Sequence, residues 1–227
     1  MRKIFYSFLF FFSYSLNAQI LPSFYGVYDK RSSVSDSWDT SNSGSRLSFD
    51  GNNDYVSVSD SDSLDMEEDF TIFAWINCDN GHDGRLVYKY GSGIGRGYYL
   101  SVVSSGKLWG TIFGATTVSI TGTTDVCDGA WHQVGFTRDA DGYLNLYVDG
   151  NVDATPVSSP SGDLSNGNTL FFGIDTAYEH DYNGIMDEVC LWNRLLSATE
   201  IYQLYSLTYR ESIVFNGTAF DDDGTVT

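Results

Sequence analysis

Apolar side chains in this chain recur at every second position in short runs, and almost every run is stopped by Gly, Asp or Asn. A period of two is that of a strand with one buried face, because successive side chains point to opposite sides; a helix face needs a period near 3.6. The runs are Tyr55–Val58, Thr71–Ile76, Arg85–Tyr88, Tyr98–Val102, Lys107–Phe113, Trp131–Phe136, Tyr143–Val148, Thr169–Gly173 and Gly184–Trp192. Between them stand "DGNND", "DNGHDG", "SSGK", "DADG", "DGN" and "SNGN". These are residues that turn a chain, by positive φ or by side-chain bonds to the local backbone. Aromatic residues, 16% of the chain, give such strands bulk to bury. The pattern predicts an all-β fold, two antiparallel sheets packed as a jelly-roll sandwich.

One short helix is expected near the C-terminal end. Ser197-Ala198-Thr199-Glu200 is a capping box, in which each side chain accepts from the other residue's backbone N–H. Ile201, Leu204 and Tyr205 then form an apolar stripe at helical spacing.

The first residues read as a separate object. Met1-Arg2-Lys3, the apolar run Ile4–Leu16 and the small Ala18 have the form of a secretory leader, residues 1–18. The run is short for a membrane span, and no second long apolar run follows, so membrane insertion is not expected. The expected organisation is the leader, an N-terminal strand and Ser/Asp-rich linker over 19–45, a sandwich over 46–207, and over 208–227 a tail or the start of a further module. The protein is expected to be secreted, extracellular or at the cell surface. Its formal net charge of −18 repels phosphate backbones and excludes nucleic acid as a natural partner. Export permits a disulfide, and three cysteines, Cys78, Cys127 and Cys190, permit at most one within the chain.

Three ordered motifs carry a resemblance to laminin-G-like, concanavalin-A-like jelly-roll domains: "LSFDGNNDYVSVSDSDSLDMEEDFTIFAWI", "DGAWHQVGFTRDADGYLNLYVDGN" and "YNGIMDEVCLWNRLLSATEI". They cover Arg46 to Tyr205. Cys190 departs from the pattern, where a basic residue is common. Pentraxins resemble the chain more distantly. The resemblance implies an extracellular module that binds carbohydrate or glycosylated surfaces, often with calcium. By likeness to the pentraxin bridge it implies a disulfide Cys78–Cys127 with Cys190 free; the alternative is three buried free thiols. Two other functions stay open: a glycoside hydrolase-associated or catalytic domain, and a structural or adhesive domain of a larger surface protein.

Asp187 and Glu188 are adjacent on a strand, so they face apart and cannot form the acid/base couple of a glycosidase. Alternation puts Asp187 with Ile185, Val189 and Leu191 on the core-facing side. A carboxylate there needs a cation or hydrogen-bond donors. One reading is a structural Ca2+ held by Asp50, the carbonyl of Gly51 or Asn53, and Asp187, since calcium prefers hard oxygen ligands. The other is that Asp187 only ties down backbone N–H groups. The acidic stretch Ser59–Asp69 fails the EF-hand pattern and reads as a solvated turn. "GSGIGRG" joins two strands and reads as a hairpin loop, not a phosphate loop. His132 reads as structural and His82 as an exposed loop residue. No G-x-S-x-G or H-E-x-x-H motif is present, so no catalytic residue is expected. Sugar faces stack on rings, which makes Tyr90, Tyr98, Tyr178 and Tyr182, with His180, the candidate ligand contacts.

Overall fold

The period-two runs pair into two antiparallel sheets. The structure, a computed structural model, describes residues 46–66, 69–79, 82–91, 95–139, 141–159, 162–177 and 179–211, with the backbone of 4–8 and 24–28. In chain order the strands are β1 (Ile4–Phe8), β2 (Phe24–Tyr28), β3 (Leu47–Asp50), β4 (Val56–Val58), β5 (Phe70–Asn77), β6 (Gly84–Gly91), β7 (Arg96–Val102) and β8 (Lys107–Phe113). They continue with β9 (Thr117–Asp125), β10 (Trp131–Arg138), β11 (Tyr143–Val148), β12 (Asn151–Val152), β13 (Val157–Ser158), β14 (Leu170–Phe172) and β15 (Asn183–Trp192). One sheet runs β1-β2-β4-β14-β6-β7-β8-β9. The other runs β12-β11-β10-β5-β15-β3, with β13 also on β11. Among the described residues one α-helix, α1, spans Ala198–Glu211, and a 3-10 turn covers Asp62–Leu64. This is the jelly-roll sandwich that the alternation predicts.

The core lies between the sheets. Val87, Leu100, Leu108 and Ile112 of the first sheet meet Ile72, Ile76, Val134, Phe136, Leu146 and Met186 of the second in one buried cluster. A fully buried side chain of this kind contributes about 1.5–3 kcal/mol. The central strand β5 is buried on both faces, which is why "FTIFAWI" is a nearly continuous apolar run. Phe73 points away from the main core into a second cluster with Leu196 and Ile201, beneath α1. Its cross-strand partner is Gly135, where a Cβ would collide with the Phe73 ring. The capping box forms as expected: Ser197 N–H donates to Glu200 Oε2 at 2.8 Å, and Glu200 N–H donates to Ser197 Oγ at 3.3 Å. Arg194 holds the same carboxylate through Nη2 at 2.8 Å, and this bond, with those from Ser197, brings the Glu200 pKa down to about 2. Tyr205 stacks on Trp75 at 5.9 Å, closing the helix onto the second sheet.

Two segments depart from the sequence reading. The reading names no strand between Phe113 and Trp131, yet β9 occupies Thr117–Asp125 as the edge of the first sheet. Of its outward or edge positions most are Thr or Ser, which suit a strand without lending it an apolar rhythm. In β15, Met186 pairs with Ile76 in the core and Leu191 pairs with Ile72, also in the core. Two core residues five positions apart require a change of phase. It comes from a β-bulge, where Glu188 and Val189 together oppose Ala74 and Glu188 takes φ 47°. Asp187 therefore lies opposite Trp75, on the face that α1 covers, and not on the core-facing side.

The first strand, β1, falls within the expected leader, and removal of a leader would take it away and leave β2 at the sheet edge. The remainder of 1–18, the linker 29–45, residues 92–94 of the Gly loop and 212–227 lie outside the described residues.

Candidate functional site

The first sheet carries a registered set of rings and hydroxyls on the face turned away from the core. Strand pairing, with a bulge in β6 between Arg85 and Val87, sets three cross-strand rows. The central row is Phe171, Tyr88, Tyr99, Thr111 and Ser119. On one side lies Arg85, Ser101, Trp109 and Thr121; on the other, Tyr90, Gly97, Phe113 and Thr117. The rings touch. Tyr88 and Tyr99 are stacked at 6.0 Å, Trp109 meets Tyr99 edge-on at 5.8 Å, and Tyr90 stacks on Phe113 at 3.9 Å. The last pair meets across Gly97, whose φ of 140° and contact with the Lys89 carbonyl exclude a side chain. Tyr88 and Tyr99 are nearly covered by their neighbours; Phe171, Tyr90, Trp109 and Phe113 are half-buried and keep ring surface in water.

Polar groups gather at the edge of these rings. The Arg85 guanidinium sits 4.4 Å from the Tyr99 centroid, a cation–π contact. Its Nη1 donates to Ser101 Oγ at 3.0 Å, and its Nε lies 3.7 Å from Asp175 Oδ2. Asp175, 4% exposed, also accepts the Ala177 N–H at 2.9 Å and pairs with His180 Nδ1 at 2.5 Å. The loop that brings them is pinned at both ends, by Tyr182 N–H to the Gly173 carbonyl and by Arg85 N–H to the His180 carbonyl. Tyr88 shares a hydrogen bond with Thr176 at 3.3 Å, and burial pushes its phenol pKa up, so it stays neutral. The arrangement offers flat apolar faces beside hydrogen-bonding groups.

Of the expected ligand contacts, Tyr90 and His180 belong to this face. Tyr98 does not: it is fully buried between the sheets, where its hydroxyl donates to the Leu64 carbonyl at 3.1 Å. Nor does Tyr182, 2% exposed, whose ring packs edge-on against Phe49 and whose hydroxyl lies 3.3 Å from the Ile185 carbonyl. Tyr178 lies outside the described residues. Sequence reasoning missed Tyr88, Tyr99, Trp109, Phe113, Phe171 and Arg85. The signal was present as rings at alternate positions of neighbouring strands, "YKY" and "LWGTIF".

The residues proposed for calcium do not converge. Asp50 pairs with Asn183, and Asp187 lies four positions further along β15, roughly 13 Å away at the rise of a strand. Asp187 Oδ1 instead accepts the Glu188 N–H of the bulge at 2.8 Å. Burial raises its pKa against the pull of that bond and of Arg46. Asp50 Oδ1 accepts the Asn52 N–H at 2.8 Å, and Asp54 Oδ2 accepts the Asp50 N–H at 3.0 Å; Gly51 and Asn53 take positive φ to shape the turn. These acids tie down backbone donors, and as a set Asp50, Gly51, Asn53 and Asp187 do not fit one ion. Among the described residues no group of three or more His, Cys, Asp or Glu could hold a metal.

The bridge Cys78–Cys127 is formed, and Cys190 is free. Just beyond the bridge, His132 is clamped by two carboxylates, Asp149 Oδ2 at 2.8 Å from Nδ1 and Asp128 Oδ1 at 3.2 Å from Nε2. Burial opposes its charge, but the bond and charge of Asp149, joined by Asp128, outweigh it and hold the His132 pKa above its ordinary value. A pKa raised by folding stabilises the protein below the unfolded value, about 6.5, and that stability is lost as pH rises through the folded one. Chemical denaturation between about pH 6 and 9 is expected to show stability falling with pH, and His132→Gln is expected to flatten the slope; an unchanged slope would remove the clamp as its source.

Comparison with known proteins follows the same lines. No curated protein matches the chain. Among solved structures it is similar to the binding domain of Paraclostridial Mosquitocidal Protein 1, with a TM-score of 0.62, 16% identity, and 74% of this chain and 44% of that one covered. It is also similar to the binding domain of Botulinum Neurotoxin DC in complex with SialylT, with a TM-score of 0.55, 16% identity, and 68% and 39% covered. A botulinum neurotoxin type C structure gives a TM-score of 0.53, 18% identity, and 68% and 40% covered. The match spans less than half the length of each, and at these identities it speaks for the fold. The family model for the concanavalin A-like lectin/glucanase superfamily matches residues 50–202, more than half of the chain. With those residues folded as two antiparallel sheets in the order described, the chain belongs to the concanavalin A-like lectin/glucanase superfamily.

Proposed function

We propose that this protein is a secreted, non-catalytic binding module whose outward face on the first sheet recognises carbohydrate, free or on a glycoprotein. The observation that carries the reading is the half-buried set Phe171, Tyr90, Trp109 and Phe113 beside Arg85, Asp175 and His180. Sugar rings present C–H faces to aromatic rings and hydroxyls to polar side chains, and this face offers both. Support comes from a structural neighbour that is a binding domain in complex with SialylT, and from a structure of botulinum neurotoxin type C, whose cell entry depends on interaction with two ganglioside molecules. Asp187 caps the bulge, and Asp175 is held by Arg85, His180 and the Ala177 N–H.

A glycan array, followed by titration of the strongest hit, tests the proposal. Trp109→Ala is expected to weaken that hit about tenfold, the loss of ~1.4 kcal/mol of ring contact, with the melting temperature measured alongside to separate lost binding from lost fold. Binding that survives Trp109→Ala and Phe113→Ala together would place the ligand on another surface.

A further inference from the structure

We infer that the ligand of this face is an uncharged glycan long enough to cross several strands, and not a sialylated or uronic acid-bearing one. The inference rests on the carbohydrate reading above and narrows it. The three registered rows hold rings, hydroxyls and one charge, Arg85. That charge is already committed. Its plane covers Tyr99, its Nη1 bonds Ser101, and Asp175 stands beside its Nε. Arg85 is 8% exposed and Asp175 4%, so the pair forms a nearly neutral buried unit.

A sugar carboxylate brought here would lose its water and meet Asp175 before it gained a free cation. Desolvating a charge without a partner costs several times what a hydrogen bond returns. Two vicinal hydroxyls suffer no such loss. The ring faces of Phe171, Tyr90, Trp109 and Phe113, which keep surface in water, take the C–H faces of an uncharged sugar with no charge to desolvate. The long-range field works in the same direction, because a chain of formal charge −18 lowers the local concentration of anionic ligands. The length follows from the register. The rings extend from β14 across β6 and β7 to β8, three strand spacings or roughly 14 Å, which exceeds one pyranose ring. Beyond β8 the surface continues as hydroxyls, with Thr111 bonded to Ser119 at 2.9 Å.

The test is titration of the purified protein with two neutral polysaccharides, a β-glucan and a galactomannan, and two acidic probes, sialyllactose and polygalacturonate, each at low and high salt. The expected result is binding to a neutral polysaccharide with a Kd that moves less than about twofold with salt, since no ion pair is screened. Sialyllactose and polygalacturonate are expected not to bind. Trp109→Ala is expected to weaken the neutral complex about tenfold. Arg85→Gln alters a buried group and can cost the fold, so Trp109, at the surface of the face, localises the site independently. Binding of either acidic probe as tightly as the neutral ones, weakened by salt, overturns this inference and leaves the carbohydrate reading standing. Binding to neither class by folded protein overturns both.

Discussion

Removing the Cys78–Cys127 bridge, by reduction or by changing both residues to alanine, is expected to cost about 4 kcal/mol in the chain-entropy account of a loop of this length. The bridge spans 49 residues and ties the end of β5 to the segment between β9 and β10. For a domain of this size that is a fall in melting temperature of about 10 °C. The effect acts on the unfolded chain, because other contacts hold the same ends in the folded one. Gly129 N–H donates to the Cys78 carbonyl at 2.8 Å, and Asn77 Nδ2 donates to the Gly129 carbonyl at 2.7 Å. Ligand binding is therefore expected to survive at low temperature, while the denaturation midpoint falls. Thiol counting checks the premise: without reductant, denatured protein is expected to yield one reactive thiol. That thiol is Cys190, whose pKa burial pushes up to about 12 in the folded state, so it is expected to react more slowly in the native protein than after denaturation. Three thiols on denaturation, or a double alanine variant as stable as the parent, would sink the prediction.

Most of the long strands, though not β9, and the helix with its cap were legible because each has a local cause. Period-two runs bounded by Gly, Asp and Asn mark β5, β7, β8, β10 and β11 with little ambiguity, and Ser197 and Glu200 mark the start of α1 within one turn. Cys78–Cys127 was legible only through likeness to the pentraxins, since three cysteines allow three pairings. What the sequence hid were phases. In β6 the one charged residue of "LVYKY", Lys89, points inward and is fully buried, so hydropathy assigns the strand's two faces in reverse. In β7, "YYL" places two tyrosines side by side; alternation says that one faces out, but the choice of Tyr99 over Tyr98 depends on the cross-strand partner Tyr88. In β15 a single bulge moves Asp187 from one face to the other. Each of these is decided by pairing between distant segments, which a period within one run cannot carry.

Lys89→Met is expected to destabilise the protein by about 3 kcal/mol, the lower part of the range for removing one partner of a buried ion pair. The Lys89 side chain is 0% exposed. Its ammonium lies 2.9 Å from Asp60 Oδ1 and 3.1 Å from Asp65 Oδ1, and donates to the Asn166 carbonyl at 2.6 Å, with Asn166 Oδ1 at 3.5 Å. Within the acidic stretch, Ser59–Ser63 are exposed as a solvated turn would be, while Asp60 and Asp65 also reach the internal cation. Asp65 also accepts the Asn166 N–H at 3.1 Å, which joins the two loops. The lower part of the range applies because Asp60 and Asp65 keep 36% and 23% of their side-chain surface and can recover water when the lysine is gone. For the same reason Asp60→Asn alone is expected to cost less than about 1 kcal/mol. The four oxygens around Nζ are of the hard, oxygen-only kind that calcium accepts. The ammonium fills that place in the parent, whose denaturation midpoint is expected to be unmoved by calcium or chelator. A Lys89→Met variant within about 1 kcal/mol of the parent would show that the buried pair carries no net stability, as some buried pairs do not. A parent protein that loses stability on chelation would show instead that a bound ion, placed elsewhere, supports the fold.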